Sequence, residues 1–429
     1  MKMRGVLLLL LIMLSLIMGA DRLPDSCKDA WAPDLNTSTF PQGVGVNIHF
    51  TDPRPGEVKM IADAGFRWVR MDFIWELTEK ERGRYDFAPY ERLLAELEPH
   101  GIRALFILDY GNRLYTEDKA VRTEEARQAY ARWAVAAAKH FANRGVIWEC
   151  FNEPNVPLFW PPKPNVDEYV ALALMVGRSF RASVPNERLI GPATLGLDFN
   201  FLEACFKAGL LEYWSAVSVH PYRQSNPENA ANEYCVLREM IERYKPKGAA
   251  ARTIPIISGE WGYSSAWQNM SEGKQAQLVS RALLTNRANG IPISIWYDWQ
   301  DDGTDASEAE HHFGLIRYAH ESERQPGYQP KPSYLASRTL NQFVTGYTFR
   351  KRLPVGNDSD YVLLFANDNN QRIAVWTTDS QSHRVTVPLA AASYALTRHT
   401  GEDAGVVAAN QDGITLEVSP SPIYLTRRP

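Results

Sequence analysis

The run Val146-Ile147-Trp148-Glu149-Cys150-Phe151-Asn152-Glu153-Pro154-Asn155 is a short apolar strand that ends in polar residues and a proline. A strand that is apolar throughout, without alternation, is one buried on both faces, as in a parallel sheet covered by helices. Seven other stretches have the same build: Gly43–Phe50, Phe66–Trp75, Arg103–Tyr110, Arg188–Thr194, Trp214–Val219, Ile254–Gly259 and Ile293–Asp298. Between them lie segments with apolar residues at helical spacing, among them Glu57–Ala64, Tyr90–Leu97, Thr123–Phe141, Val166–Ser183 and Lys274–Ala288. Eight strands alternating with helices predict a closed TIM (β/α)8 barrel. A doubly wound open sheet is disfavoured, because the Gly-rich phosphate turn expected after its first strand is missing from Val44-Gly45-Val46-Asn47-Ile48-His49-Phe50.

Beyond the last helical segment, Pro332 to Asn341, short alternating runs separated by Asn, Asp, Gly and Ser predict a small antiparallel β-sandwich module. These runs are Tyr361–Ala366, Arg372–Thr377, His383–Val387, Gly413–Val418 and Pro422–Thr426. At the other end, Lys2 and Arg4 precede an apolar run from Gly5 to Met18 that closes on Gly19-Ala20, the pattern of a signal peptide. The expected organisation is a leader over 1–20, an extension over 21–40, the barrel over 41–343 and the β-module over 344–429. Export follows, to the periplasm or the exterior. An uncleaved N-terminal membrane anchor is the alternative, but the apolar run is shorter than the roughly 20 residues that span a bilayer.

The chain has 429 residues, 46 Lys and Arg against 50 Asp and Glu, and a formal charge of -4, so no basic stripe exists to follow a nucleic-acid backbone. Aromatic residues make up 11%, enough to fill cores and also to stack on sugar rings. Cys27, Cys150, Cys205 and Cys235 match no zinc spacing and allow three pairings. The acidic loop Asp301 to Glu310 followed by His311-His312 has no regular metal-ligand spacing, and neither a metal nor a cofactor is expected.

Two glutamates stand where a barrel strand meets its C-terminal loop, Glu153 after the fourth strand and Glu260 in Ser258-Gly259-Glu260-Trp261-Gly262 of the seventh. Barrel enzymes assemble their sites at that end of the strands. Two carboxylates across one pocket can break a glycosidic bond without a metal, one as acid and one as nucleophile. A single strand-end Glu is more often a cap or an ion-pair partner, so the flanking residues carry the specificity.

Phe151-Asn152-Glu153-Pro154-Asn155 resembles the Asn-Glu-Pro motif of clan A glycoside hydrolases, and the run around Glu260 resembles their nucleophile strand. Trp68-Val69-Arg70, His220-Pro221-Tyr222 and Trp296 extend the likeness through most of the barrel, toward family 39 with its exopolysaccharide-hydrolase relatives and toward family 5 cellulase-type enzymes. The resemblance implies Glu153 as acid/base, Glu260 as nucleophile and Asn152 on the sugar 2-hydroxyl. It further implies Arg70 and Tyr222 beside Glu260, His220 on the pocket floor and Trp296 as the aromatic platform.

The expected activity is retaining hydrolysis of β-linked poly- or oligosaccharide by a monomer, within the chain, with the carboxyls about 5–5.5 Å apart. Trp75, Trp160, Trp261 and Trp299 suit packing at least as well as stacking on sugar. A carbohydrate-binding barrel without catalysis is the alternative, although such proteins usually replace one of the two glutamates. A metal-dependent barrel hydrolase is excluded by Asn47-Ile48-His49, where a His-x-His pair is needed.

Overall fold

The computed structural model describes residues 40–248, 253–319 and 327–428. The expected leader, most of the extension and Cys27 lie outside the described residues. Eight parallel strands close into a barrel in sequence order: β1 (Gly43–Asn47), β2 (Trp68–Ile74), β3 (Arg103–Asp109), β4 (Ile147–Cys150), β5 (Arg188–Leu195), β6 (Val217–His220), β7 (Ile256–Trp261) and β8 (Ile293–Trp296). All eight fall within a residue or three of the sequence expectation.

The helices between them bury one face against the barrel, and several begin at a side-chain cap that satisfies free N–H groups. Thr123 accepts from Ala126 N, and Asn165 accepts from Asp167 N and Glu168 N. Helices Phe199–Lys207 and Ala230–Tyr244 complete the outer ring. No helix among the described residues is long and apolar enough to cross a membrane.

Trp68, Leu105, Ile147, Ile190, Ile257, Ile293 and Ile295 form a separate apolar cluster inside the barrel. Because successive side chains on a strand point to opposite faces, these residues fix which positions face inward. Arg70 and Asp72 share the parity of Trp68, Asp109 that of Leu105, Glu149 that of Ile147, and Tyr297 that of Ile293 and Ile295. Trp296 has the opposite parity.

The C-terminal strands form a six-stranded antiparallel sheet and a two-stranded one. Three strands there were not expected: β9 (Thr348–Arg352), β13 (Ser393–Arg398) and β14 (Asp403–Ala408). The sequence Thr348-Phe349-Arg350-Lys351-Arg352 buries one side chain fully, and β14 buries none, so edge position rather than apolar pattern defines both. The larger sheet adds Phe349, Phe365, Trp376 and Tyr424 to the barrel's own core. Phe343 of the last helix stacks on Tyr424 at 4.5 Å, and the Trp376 indole donates to Glu228 at 2.7 Å. Glu228 is itself paired with the buried Arg281 at 2.8 Å. Cys150 and Cys205 are free and buried, whereas Cys235 takes part in a disulfide.

Candidate active site

Glu149 and Arg70 face each other across the barrel interior, and everything above them is built on that pair. Arg70 is 1% exposed and uses its whole donor fork. Its Nε donates to Glu149 at 2.7 Å, Nη1 to Glu260 at 2.6 Å and to Asn47 at 3.2 Å, and Nη2 to the Asn152 side-chain oxygen at 2.6 Å. Nη2 also lies 3.3 Å from His220 Nε2.

Both glutamates of interest are presented by irregular backbone. After β4 the chain enters the left-handed region at Phe151 (φ 72°) and again at Glu153 (φ 44°), a conformation costly for residues with a Cβ. The loop is held there by Phe151 N to Leu108 O, by Glu153 N to Ala193 O, and by Asn155, which exchanges hydrogen bonds with the Leu195 backbone. On the facing side, the pairing of β7 with β8 slips between Ser258 and Trp261. That irregularity brings Glu260 to the mouth although its parity is that of outward residues. Gly259 makes it possible, because a Cβ there would lie 2.4 Å from Ser218 Oγ and 3.1 Å from Glu149 Oε1.

A carboxylate oxygen of Glu153 and one of Glu260 lie within 4.8 Å of each other and of a His220 nitrogen. Their surroundings differ. Burial, and after it the Glu260 charge, hold the Glu153 carboxyl well above the usual carboxylate range. Burial holds Glu260 above the ordinary value too, opposed by the Arg70 charge and then by the Tyr222 hydroxyl, which donates at 2.7 Å. Of the two, Glu153 is held the further toward its protonated form, and Glu260 is the one with a cation and a hydroxyl that favour its ionised form.

His220 is fully buried and neutral, its pKa held well below the ordinary value by burial and then by Arg70. Arg70 can only donate, so Nε2 accepts and the ring proton sits on Nδ1, 2.8 Å from Glu153 Oε1. His220 thus donates to one Glu153 oxygen and leaves the carboxylic proton to the other.

The structure brings together Arg70, Asn152, Glu153, His220, Tyr222 and Glu260. Trp296 does not join them. It is 1% exposed, points outward from the barrel and stacks on Tyr263. Tyr297, with the inward parity, is the half-buried ring at the mouth, packed edge-on against Tyr222 and His49. Trp75, Trp160, Trp261 and Trp299 are also buried, which fits packing. Sequence reading missed Tyr297, Asn47, Glu149 and Tyr110, whose hydroxyl accepts from Asn152 at 3.2 Å. Strand alternation from Arg70 and Ile295 is the signal that finds most of these.

The Tyr297 hydroxyl donates to Glu310 at 3.1 Å, and burial pushes the Glu310 carboxyl up to about 7 against that pull. Two further groups have spacing suited to an ion, His49 with Asp298 and Asp302, and Asp360 with Asp379 and His383. In the first, burial opposes the His49 charge, yet Asp298 at 3.1 Å and its neighbours raise that imidazole to about 10. In the acidic loop, His311 Nδ1 accepts from Asp305 N at 3.1 Å, and His312 Nε2 lies 2.9 Å from Asp305 O.

Comparison with solved structures places the fold among glycoside hydrolases. A family 39 glycoside hydrolase from the gut symbiont Bacteroides cellulosilyticus WH2 superposes with a TM-score of 0.76 at 24% identity, over 90% of this chain and 81% of that one. A GH39 β-xylosidase from Caulobacter crescentus gives 0.64 at 16% identity, over 93% and 98%. A GH30 endoxylanase from Clostridium papyrosolvens C71 gives 0.64 at 14%, over 91% and 97%. No curated protein matches the chain. The model of the cellulase family, glycosyl hydrolase family 5, matches residues 38–303, which take in all eight barrel strands and both glutamates. The chain belongs to that family, and so to the clan A (β/α)8-barrel glycoside hydrolases.

Proposed function

We propose that this glycoside hydrolase cleaves β-linked poly- or oligosaccharide with retention of configuration, Glu260 acting as nucleophile and Glu153 as acid/base. The observation that carries this reading is the approach of the two carboxylates to within 4.8 Å. Retaining enzymes hold the pair about 5–5.5 Å apart, whereas inverting ones leave about 6.5–9.5 Å for a water.

In the first step Glu260 attacks the anomeric carbon as Glu153 gives its proton to the departing glycosidic oxygen. A glycosyl ester on Glu260 and a shortened glycan result. In the second step Glu153, now ionised, takes a proton from water, which attacks the same carbon and frees Glu260. Arg70 and Tyr222 stabilise the Glu260 carboxylate before attack and after release. His220, fixed as the Nδ1–H form, keeps Glu153 oriented in both protonation states.

Half-buried aromatic rings on two sides of the pair support action within a chain. Tyr110 and Phe159 stack at 5.4 Å beside Asn152, and Tyr297 stands beside Tyr222. The leader-like Met1–Ala20 run supports export, and the burial of Trp376 with its indole hydrogen bond to Glu228 of the barrel supports a structural role for residues 344–429. The test is Glu260→Ala with added azide. Restored cleavage yielding a glycosyl azide of inverted configuration is expected, because the small anion fills the place of the nucleophile. Undiminished turnover of that variant without azide would refute the assignment.

A further inference from the structure

The inward face of the first three strands carries charges that double displacement leaves unused. Trp68, Arg70 and Asp72 on β2 and Leu105, Ile107 and Asp109 on β3 follow one alternation, with Trp68 and Leu105 in the barrel interior. Asp72 therefore stands one layer above Arg70, half-buried at the mouth, and its charge is felt at Glu260 and His49.

Asp109 is 0% exposed, and neither of its oxygens meets a well-aligned donor among the described residues. The Asp72 carboxyl is its neighbour on the adjacent strand: Asp72 pairs with Ile107, so Asp109 follows two residues on along the same face, and the Asp72 charge bears on it. Two carboxylates cannot both be ionised so close together in a buried place. Lys119 does not resolve the conflict, since its Nζ sits over the rings of Tyr110 and Phe159, 4.8 Å from each centroid. Burial, and then Asp72, hold Asp109 far above the usual carboxylate range, with Arg70 and Tyr110 pulling the other way. Asp109 thus keeps a proton and is itself the donor, which accounts for its two oxygens lacking one.

We propose that Asp72 binds substrate, accepting hydrogen bonds from ring hydroxyls of the sugar that Glu260 attacks, and that Asp109 is a positioning residue that holds Asp72 through its carboxylic O–H. The first half rests on Glu260 being the nucleophile, because that places the attacked ring beside Arg70 and Asn152, next to the half-buried Asp72 two residues along β2 from Arg70. The substrate class follows: a neutral ring with free hydroxyls fits, whereas a uronic acid would set its carboxylate against Asp72.

The groups facing Asp109 are Asp72 and Arg70 from β2, Tyr110 and Lys119 from the segment after β3, Tyr90 from helix Ala88–Leu97 and Tyr130 from helix Glu124–His140. Burial raises all three tyrosines and lowers Lys119. Glu310 at the mouth, pushed up to about 7, also loses its proton as pH rises, so the contribution of Asp109 is read as the difference between the enzyme with Asp109 and the Asp109→Asn variant.

Asp72→Ala should lower kcat/KM on the order of 10- to 100-fold, the worth of a hydrogen bond to a charged group, and weaken binding of an oligosaccharide that the wild type cleaves. Binding is measured in a Glu153→Gln background, where no chemistry intervenes and Glu153 no longer titrates. Asp109→Asn retains a donor and should stay within a few-fold of wild type, while Asp109→Leu should fall with Asp72→Ala. Oligosaccharide binding should weaken at alkaline pH with Asp109 present and flatten with Asp109→Asn. Unchanged binding on Asp72→Ala would overturn the proposal, as would equal damage from the Asn and Leu variants, or preferential cleavage of an oligouronate. Failure of Glu260 as nucleophile would show separately, in the azide experiment.

Discussion

Removing the Arg70 cation should move the acid limb of the pH–activity profile to higher pH. In the proposed mechanism Glu260 attacks only when ionised, so activity disappears as pH falls through its pKa, and whatever raises that pKa moves the limb upward. Arg70 touches Glu260 at 2.6 Å, with the two side chains 1% and 12% exposed, so water screens the pair poorly. An opposite charge this close lowers a carboxylate by roughly 1–3 units.

Arg70→Met alone would also strand Glu149, which is 0% exposed and paired with Arg70 at 2.7 Å, at a stability cost of about 3–5 kcal/mol. Combining it with Glu149→Gln removes that orphaned charge. Because Glu149 itself raises Glu260, the double variant should shift the limb upward by less, roughly 1–2 units. Glu149→Gln alone should shift it downward. The assay is kcat/KM for an aryl glycoside across the acid range, with thermal melts confirming that each variant folds. A double variant whose acid limb coincides with wild type would refute the claim that Arg70 keeps Glu260 ionised.

Glu153→Gln should cost about 10²–10⁴-fold on substrates whose leaving group needs a proton, and far less on aryl glycosides with an acidic phenol. Equal losses on both would deny Glu153 the acid role. Trp296→Ala should lower stability by about 3–5 kcal/mol in denaturant titrations while leaving KM unmoved. Tyr297→Ala should raise KM with little effect on stability, and the opposite pattern would return Trp296 to the substrate. Glu228→Leu leaves Arg281 and the Trp376 indole without their buried partner. It should destabilise by about 3–5 kcal/mol, read by chemical denaturation, with kcat/KM of the folded enzyme near wild type.

The barrel was legible because strands buried on both faces are predominantly apolar and each is followed by a helix-period segment. The module was less so. Tyr394 and Leu396 of β13 alternate inward as a strand should, but β9 and β14 lie at sheet edges, where few side chains need be apolar. In the site, Arg70 and Tyr222 came from a family likeness, yet the likeness misled at Trp296. Counting along β8 from Ile293 and Ile295 puts Tyr297 inside and Trp296 outside, and the structure obeys the count. The same count finds Glu149, Asp72 and Asp109 without any family knowledge.

That rule fails where the proposed chemistry is. Glu260 has the parity of an outward residue and reaches the mouth because β7 slips against β8 and Gly259 tolerates Ser218 and Glu149 where a Cβ would go. Glu153 reaches it because Phe151 and Glu153 adopt left-handed backbone, held by hydrogen bonds from β3 and β5. A regular strand offers each inward residue the same radial direction, and two carboxyls carried that way on β4 and β7 would face each other across the axis at a separation set by the barrel. Breaking the regularity on both strands frees the pair to approach to within 4.8 Å. Arg70, Glu149, Asp72 and Asp109 have only to stand and hold, so regular strands serve them. The supporting residues are therefore readable from alternation, and the reacting pair only from motif, because departure from the regular strand is what aims them.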